Sequence, residues 1–172
     1  KISSRSNKTK IEKIRALHKA YRVVKLIDEI ESRLRYLNGY EINRGQCKEM
    51  LHKCKSEAEG AKTGQEMINI LKSYKSKIKN IAVDKGRKPV KIALMGEIYT
   101  ILEPFSNLYI EDKLMDYGVS VKRGLSPSWW VKNAVMTAVN LQSLDIRKAS
   151  KEYLPHYIGG HARECIGEAV MA

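Results

Sequence analysis

Three short stretches hold residues whose types and spacing suit chemistry. Gly96-Glu97-Ile98-Tyr99 follows the apolar run Val90-Lys91-Ile92-Ala93-Leu94-Met95. A carboxylate directly after a strand stands where open α/β sheets face their cleft; capping or loop bracing is the equal alternative for Glu97. Gly159-Gly160-His161 precedes a helical stretch, where free amide donors at a positive dipole end suit a phosphate or carboxylate, although the same glycines serve an ordinary loop. His156 and His161 lie five apart across that loop and offer a proton donor or a ligand, with no Asp or Glu fixed beside them by sequence. The third group is the cysteines, Cys47, Cys54 and Cys165, which contain no CxxC pair. Cys47 and Cys54, one heptad apart, share a predicted helix face with Met50, Leu51 and Ala58 and read as small buried side chains rather than metal ligands. No Walker sequence, GxGxxG, nucleophile elbow or HExxH is present, so motifs alone name no reaction.

The elements that must position these residues follow from periodicity. Val90–Met95, after Pro89 and before Gly96, reads as a buried strand. A loop with Pro104 comes next, then an amphipathic helix over Asn107–Tyr117 with Leu108, Glu111, Leu114 and Met115 at helical spacing, stopped by Gly118. Val119, Val121 and Leu125 suggest a second strand. Strand, crossover helix and strand make a parallel βαβ unit, which places Gly96, Glu97, Ile98 and Tyr99 at the carboxyl edge of the sheet. Ser126-Pro127 opens a further helix containing Trp129 and Trp130, adjacent residues that cannot share one face. A short helix over Asp145–Tyr153 and a last one from Ala162 to Ala172 complete this half.

The N-terminal half is helical. Ile11, Ile14, Leu17, Tyr21, Val24, Ile27, Ile30, Leu34 and Leu37 recur in steps of three or four and predict one long helix ending near Asn38-Gly39. A second helix is expected from about Arg44 to Glu59, after Asn43. A third opens at Thr63, with Glu66 at capping-box spacing and a stripe of Met67, Ile70, Leu71, Tyr74, Ile78 and Ile81. Asp84–Pro89 is a charged turn. The expected division is a helical segment over residues 1–88 and a partial α/β domain over 89–172. The fold class expected is α/β: a parallel βαβ unit of an incomplete three-layer domain, because a sheet covered on both faces needs more than two strands.

Composition bounds the partners. The 172 residues carry a formal charge of +13. Residues 1–91 hold 24 Lys and Arg against 10 Asp and Glu, and residues 92–172 hold 8 against 9, so the basicity belongs to the helical half. Such asymmetry suits a polyanion such as nucleic acid, or the solvated face of Lys-rich helices, and glutamates interleave these lysines. A hydrophobic fraction of 43% excludes wholesale disorder. No run is apolar enough to cross a bilayer and the start lacks a secretory signal's apolar block, giving a cytoplasmic expectation with no membrane partner.

The run KIALMGEIYTILEPFSNLYIEDKLMDYGVSVKRGL, with the later YLPHYIGGHARECIGEAVMA, resembles the 2-hydroxyacyl-CoA dehydratase D-component-like part of CoA-substrate-specific enzyme activases, the activators of 2-hydroxyglutaryl-CoA dehydratase. The resemblance rests on a strand followed by Gly96-Glu97-x-Tyr99, Pro104, Asn107, Glu111-x-x-Leu114 and Gly118, then Gly159-Gly160-His161 and Gly167-Glu168-Ala169-Val170, and it covers Pro89 to Ala172. It implies an iron-sulfur protein of ATP-dependent, low-potential electron transfer, in which an actin-like ATPase module drives an electron into a dehydratase or reductase. It further implies that this chain is a fragment, that cluster-binding cysteines lie outside it, and that its partners are the rest of the parent chain, an actin-like ATPase module or a dehydratase subunit. No cofactor or metal ligand is expected within the 172 residues, which alone are expected to bind no cluster and catalyse nothing, and no catalytic residue is assigned. Gly96, Glu97, Tyr99, Gly159, Gly160 and His161 are the expected substrate-binding edge of a cleft that absent strands complete. The alternative reading is a nucleic-acid-binding module built on the basic helices.

Overall fold

A computed structural model describes residues 9–138, 148–154, 156 and 162–171. Among them the chain is mostly helical, with one two-stranded parallel sheet. Helix α1 spans Lys10–Asn38 and is capped by Thr9, whose Oγ1 accepts from the Glu12 amide while the Glu12 carboxylate accepts from the Thr9 amide. Helices α2 (Gln46–Glu59) and α3 (Gly64–Lys77) pack against it, and a single 3₁₀ turn, Ile78–Asn80, ends α3. The core between these helices holds Ile30, Leu34, Cys47, Leu51, Cys54, Leu71 and Tyr74. Both helical-half cysteines are therefore packed side chains, as their spacing suggests.

Two starts differ from expectation in instructive ways. Helix α2 begins at Gln46, two residues after the expected Arg44, because Gly45 adopts φ 86° and breaks the chain direction there. With no side chain at Gly45 to cap the helix, the buried carboxylate of Glu41 accepts from the amides of Gly45 and Cys47 at 2.5 and 2.7 Å. At α3, Thr63 caps Glu66 as predicted, but the Glu66 carboxylate reaches the Lys62 amide instead of closing the box.

The βαβ unit is present and parallel. Strand β1 (Lys91–Leu94) pairs with β2 (Ser120–Arg123) in the register Lys91–Ser120 to Leu94–Arg123. Between them the stretch expected as a loop contains helix α4 (Ile98–Leu102), and the crossover helix α5 (Ile110–Asp116) is shorter than its predicted span. Leu108 belongs to the connection and not to that helix: Leu108 and Tyr109 adopt φ 56° and 57°, and the side chain that the apolar spacing assigned to the core is exposed. Gly118 takes φ 70°, the left-handed stop expected of it. Strand β1 is not buried as expected: Ile92 and Leu94 are half-buried, and Lys91 and Ala93 exposed, so one face of β1 is uncovered among the described residues. Helix α6 (Pro127–Ala138) follows β2, and α7 (Ala162–Met171) approaches the end of β1. Of the expected Asp145–Tyr153 helix, residues 148–150 are helical and 151–153 form a turn; residues 145–147 lie outside the described ones.

Helix α1 serves both halves. Its far end packs against α2 and α3 on one side and against β2 and α6 on the other. The buried Asn38 amide donates to the carbonyls of Met115 and Val119, at 2.9 and 3.3 Å, tying the helix end to the turn that launches β2. Gly39 lets the two approach: a Cβ there would stand 2.7 Å from Pro89 Cβ and 2.9 Å from the Ser120 amide nitrogen.

Candidate functional site

The carboxyl ends of β1 and β2 lie side by side, bringing Met95–Glu97 and Arg123–Ser128 to one edge. At this join the Met95 sulfur packs over Gly124, where a Cβ would displace it, and the Gly124 amide donates to the Leu94 carbonyl at 2.9 Å. On the β2 side a cleft of about 610 Å³ opens between α1, β2 and the start of α6, lined among others by Asp28, Arg35, Arg123, Ser126, Ser128 and Trp129.

Glu31, Arg35 and Arg123 of this cleft belong to a lattice of largely buried charges from α1, α5 and β2, joined at its rim by the exposed Lys55 of α2. Glu31 and Arg35, one turn apart on α1, form an ion pair at 2.8 Å, and Arg35 reaches Glu111 of α5 at 2.9 Å. Arg123, the last residue of β2, grips Glu111 through both Nε and Nη2 and also meets Glu31 at 3.3 Å. Lys55 of α2 closes on the other Glu31 oxygen at 2.8 Å. Burial alone would raise the Glu31 pKa, but Arg35, Lys55 and Arg123 overcome it and hold the carboxyl down at about 2. Arg35 Nε is buried without a hydrogen-bond partner, a residual cost at the centre of the lattice.

The α6 entrance is already engaged. Asp28 of α1 accepts from the Ser128 amide at 2.6 Å, and Ser126 Oγ accepts from the Trp129 amide at 3.3 Å. The positive helix end thus faces a carboxylate of the chain itself. Paired charges and a half-buried Trp129 suit binding and positioning more than proton transfer.

The residues that sequence reasoning placed at the edge divide. Gly96 and Glu97 are there, at the end of β1, but the Glu97 carboxylate accepts from the amides of Tyr99 and Thr100 at 2.7 and 3.2 Å and acts as the cap of α4. Tyr99 is exposed. Gly159, Gly160 and His161 lie outside the described residues. Cys165 of α7 does come to this edge, donating its thiol to the Gly96 carbonyl at 2.9 Å, and burial pushes its pKa up. Of the lattice residues the sequence singles out only Glu111, and as part of a helical spacing and not of a charge cluster, because the partners are distant in the chain. Only the Glu31–Arg35 spacing of four could have signalled part of it.

A metal-sulfur group finds no seat among the described residues. Cys47 and Cys54 are sealed in the helical core, where burial pushes both thiols up, Cys54 to about 11, and Cys165 belongs to another element. No group of three or more His, Cys, Asp or Glu is placed to hold a metal among these residues. Comparison with known proteins adds no assignment: no family model matches the chain, and neither a curated protein nor a solved structure does.

Proposed function

We propose that the chain is part of an iron-sulfur, ATP-dependent electron-transfer activator or reductase related to the 2-hydroxyacyl-CoA dehydratases, and that it performs no catalysis of its own. The observation that carries this reading is the parallel β1–β2 pair, whose carboxyl ends bring Gly96–Glu97 beside Arg123, Gly124, Ser126 and Ser128, which line a cleft on the β2 side that Gly96 and Glu97 themselves do not line. It falls within the stretch that resembles that family, and it is the edge at which such sheets bind ligands. The uncovered face of β1 supports a further part of the proposal, a three-layer α/β domain completed by other strands. In this reading Gly96, Glu97, Tyr99, Gly159, Gly160 and His161 border the substrate cleft, and Glu97 does so as a brace for α4. The clusters belong to cysteines outside the 172 residues, the partners are the rest of a parent chain with an actin-like ATPase module or a dehydratase subunit, and the compartment is the cytoplasm. No helix of the described residues is long and apolar enough to cross a membrane.

The test is chemical analysis of protein purified without oxygen. A longer protein containing this segment is expected to carry iron and acid-labile sulfide in stoichiometric amounts, and the 172-residue chain none. Stoichiometric iron on the short chain, or none on the longer one, overturns the reading.

A second reading rests on a separate observation. Lys13, Arg15, Lys19 and Arg22 lie on the exposed part of α1, as a nucleic-acid-binding helix requires. It predicts oligonucleotide binding that weakens steeply with salt, and a flat titration at low salt removes it.

A further inference from the structure

The N-terminal part of α1 carries an apolar stripe that nothing among the described residues covers. Ile11, Ile14 and Leu17 are 63, 67 and 70% exposed, and every residue from Lys10 to Ala20 is exposed. At about 100° per residue, Ile14 and Leu17 fall on the side of α1 that farther along carries Asp28, Glu31 and Arg35. The stripe therefore prolongs the face by which α1 meets β2 and α6, past the point where those partners end. Its surroundings are basic: from Lys10 to Lys25, six Lys and Arg stand against the single Glu12.

The opposite character occurs elsewhere on the same chain. From Ile92 to Asp112 there are four carboxylates and no Lys, Arg or His. This stretch includes the α4–α5 connection, where Phe105 and Leu108 are 77 and 71% exposed and Tyr109 is exposed beside them. The left-handed backbone at Leu108 and Tyr109 turns the chain here, a conformation that non-glycine residues seldom adopt. Glu111 is consumed by Arg35 and Arg123, which leaves the exposed Glu97 and the half-buried Glu103 and Asp112 as this stretch's charges. Lys113 is exposed after Asp112, and Lys48 of α2 donates to the Asp112 carbonyl at 3.4 Å.

We infer that these are the two halves of one contact: the basic apolar stripe of α1 docks on the acidic apolar α4–α5 connection of a second copy of this chain. Opposite charge orients the encounter and apolar area holds it. Pairing stripe with stripe would set like charges against each other. Nucleic acid or an anionic lipid surface would satisfy the lysines, but neither accounts for the acidic apolar surface on the same molecule. Each copy presents both halves, so the association is either a reciprocal pair or a head-to-tail series. The inference stands independently of the electron-transfer reading.

Sedimentation of the whole 172-residue chain at rising concentration tests it. At about 50 mM salt the mass is expected to climb above the monomer's 19.6 kDa, and at about 500 mM to fall back. Lys10→Glu/Lys13→Glu and Glu103→Lys/Asp112→Lys should each weaken association by about tenfold or more, and mixing the two variants should restore it. Leu17→Ser should weaken it without changing its salt dependence. Circular dichroism establishes that each variant is folded, so loss of association is not loss of structure. A chain monomeric throughout, association indifferent to both reversals, or no recovery on mixing overturns the proposal. So does a monomeric chain whose stripe binds phosphatidylserine vesicles or duplex DNA.

Discussion

At the scale of single residues, Glu31 concentrates the electrostatics of the molecule. Its carboxyl is held at about 2, below the ordinary 4.5, so it contributes stability that is complete above about pH 4.5 and is lost as the pH falls through 2. The span corresponds to about 3 kcal/mol at neutral pH. Urea unfolding between pH 2 and pH 7 should show this loss on acidification, and Glu31→Gln should flatten that part of the profile while lowering stability at pH 7. Glu41 makes a different prediction. Its buried carboxylate is the only side chain seen to cap α2 among the described residues, so Glu41→Ala should cost about 1–3 kcal/mol in chemical denaturation with an unchanged slope. Neither role was visible in sequence. The helix expected from about Arg44 took in Gly45, and nothing local says that the chain turns there and that a glutamate four positions earlier supplies the missing cap.

At the scale of elements, the sequence was most legible where one face meets one core. The ends of α1, the stripe of α3, the parallel strands and the left-handed stop at Gly118 could all be read from period and punctuation. The stripe of α1 misled because its short steps, nearer three than the helix's 3.6, carry it around the cylinder. Ile30, Leu34 and Leu37 enter the three-helix core, whereas Ile11, Ile14 and Leu17 emerge on another side. Similarly, Leu108 kept helical spacing with Met115 but fell in the connection before α5. The close approach at Gly39 supplies a test: Gly39→Ala forces a methyl against Pro89 and the Ser120 backbone and should destabilise by about 1–3 kcal/mol in thermal or chemical unfolding. A much smaller effect would mean that the helix end and β2 can part without cost.

At the scale of the whole molecule, composition separates a basic helical half from a nearly neutral α/β half, yet their cores and charges interlock. Met115 of α5 belongs to the same buried cluster as Ile30 and Leu34, and Arg123 of β2 shares Glu31 and Glu111 with Arg35 of α1. The cleft at the carboxyl edge shares Glu31, Arg35 and Arg123 with that lattice. None of these long-range pairings is encoded locally, which is why the sequence supplied the two halves but not their joint. Removing one partner of a buried charge pair leaves the other uncompensated, so the joint should be costly to break.

The measurement that bears most directly on this joint is denaturant unfolding followed by two probes at once. Both tryptophans, Trp129 and Trp130, sit on α6, whereas far-ultraviolet circular dichroism is dominated by α1, α2 and α3. The shared lattice predicts coincident transitions, and it predicts that Arg123→Met moves both midpoints together. Tryptophan fluorescence that changes in a separate, earlier transition, with the helical signal intact, would contradict it.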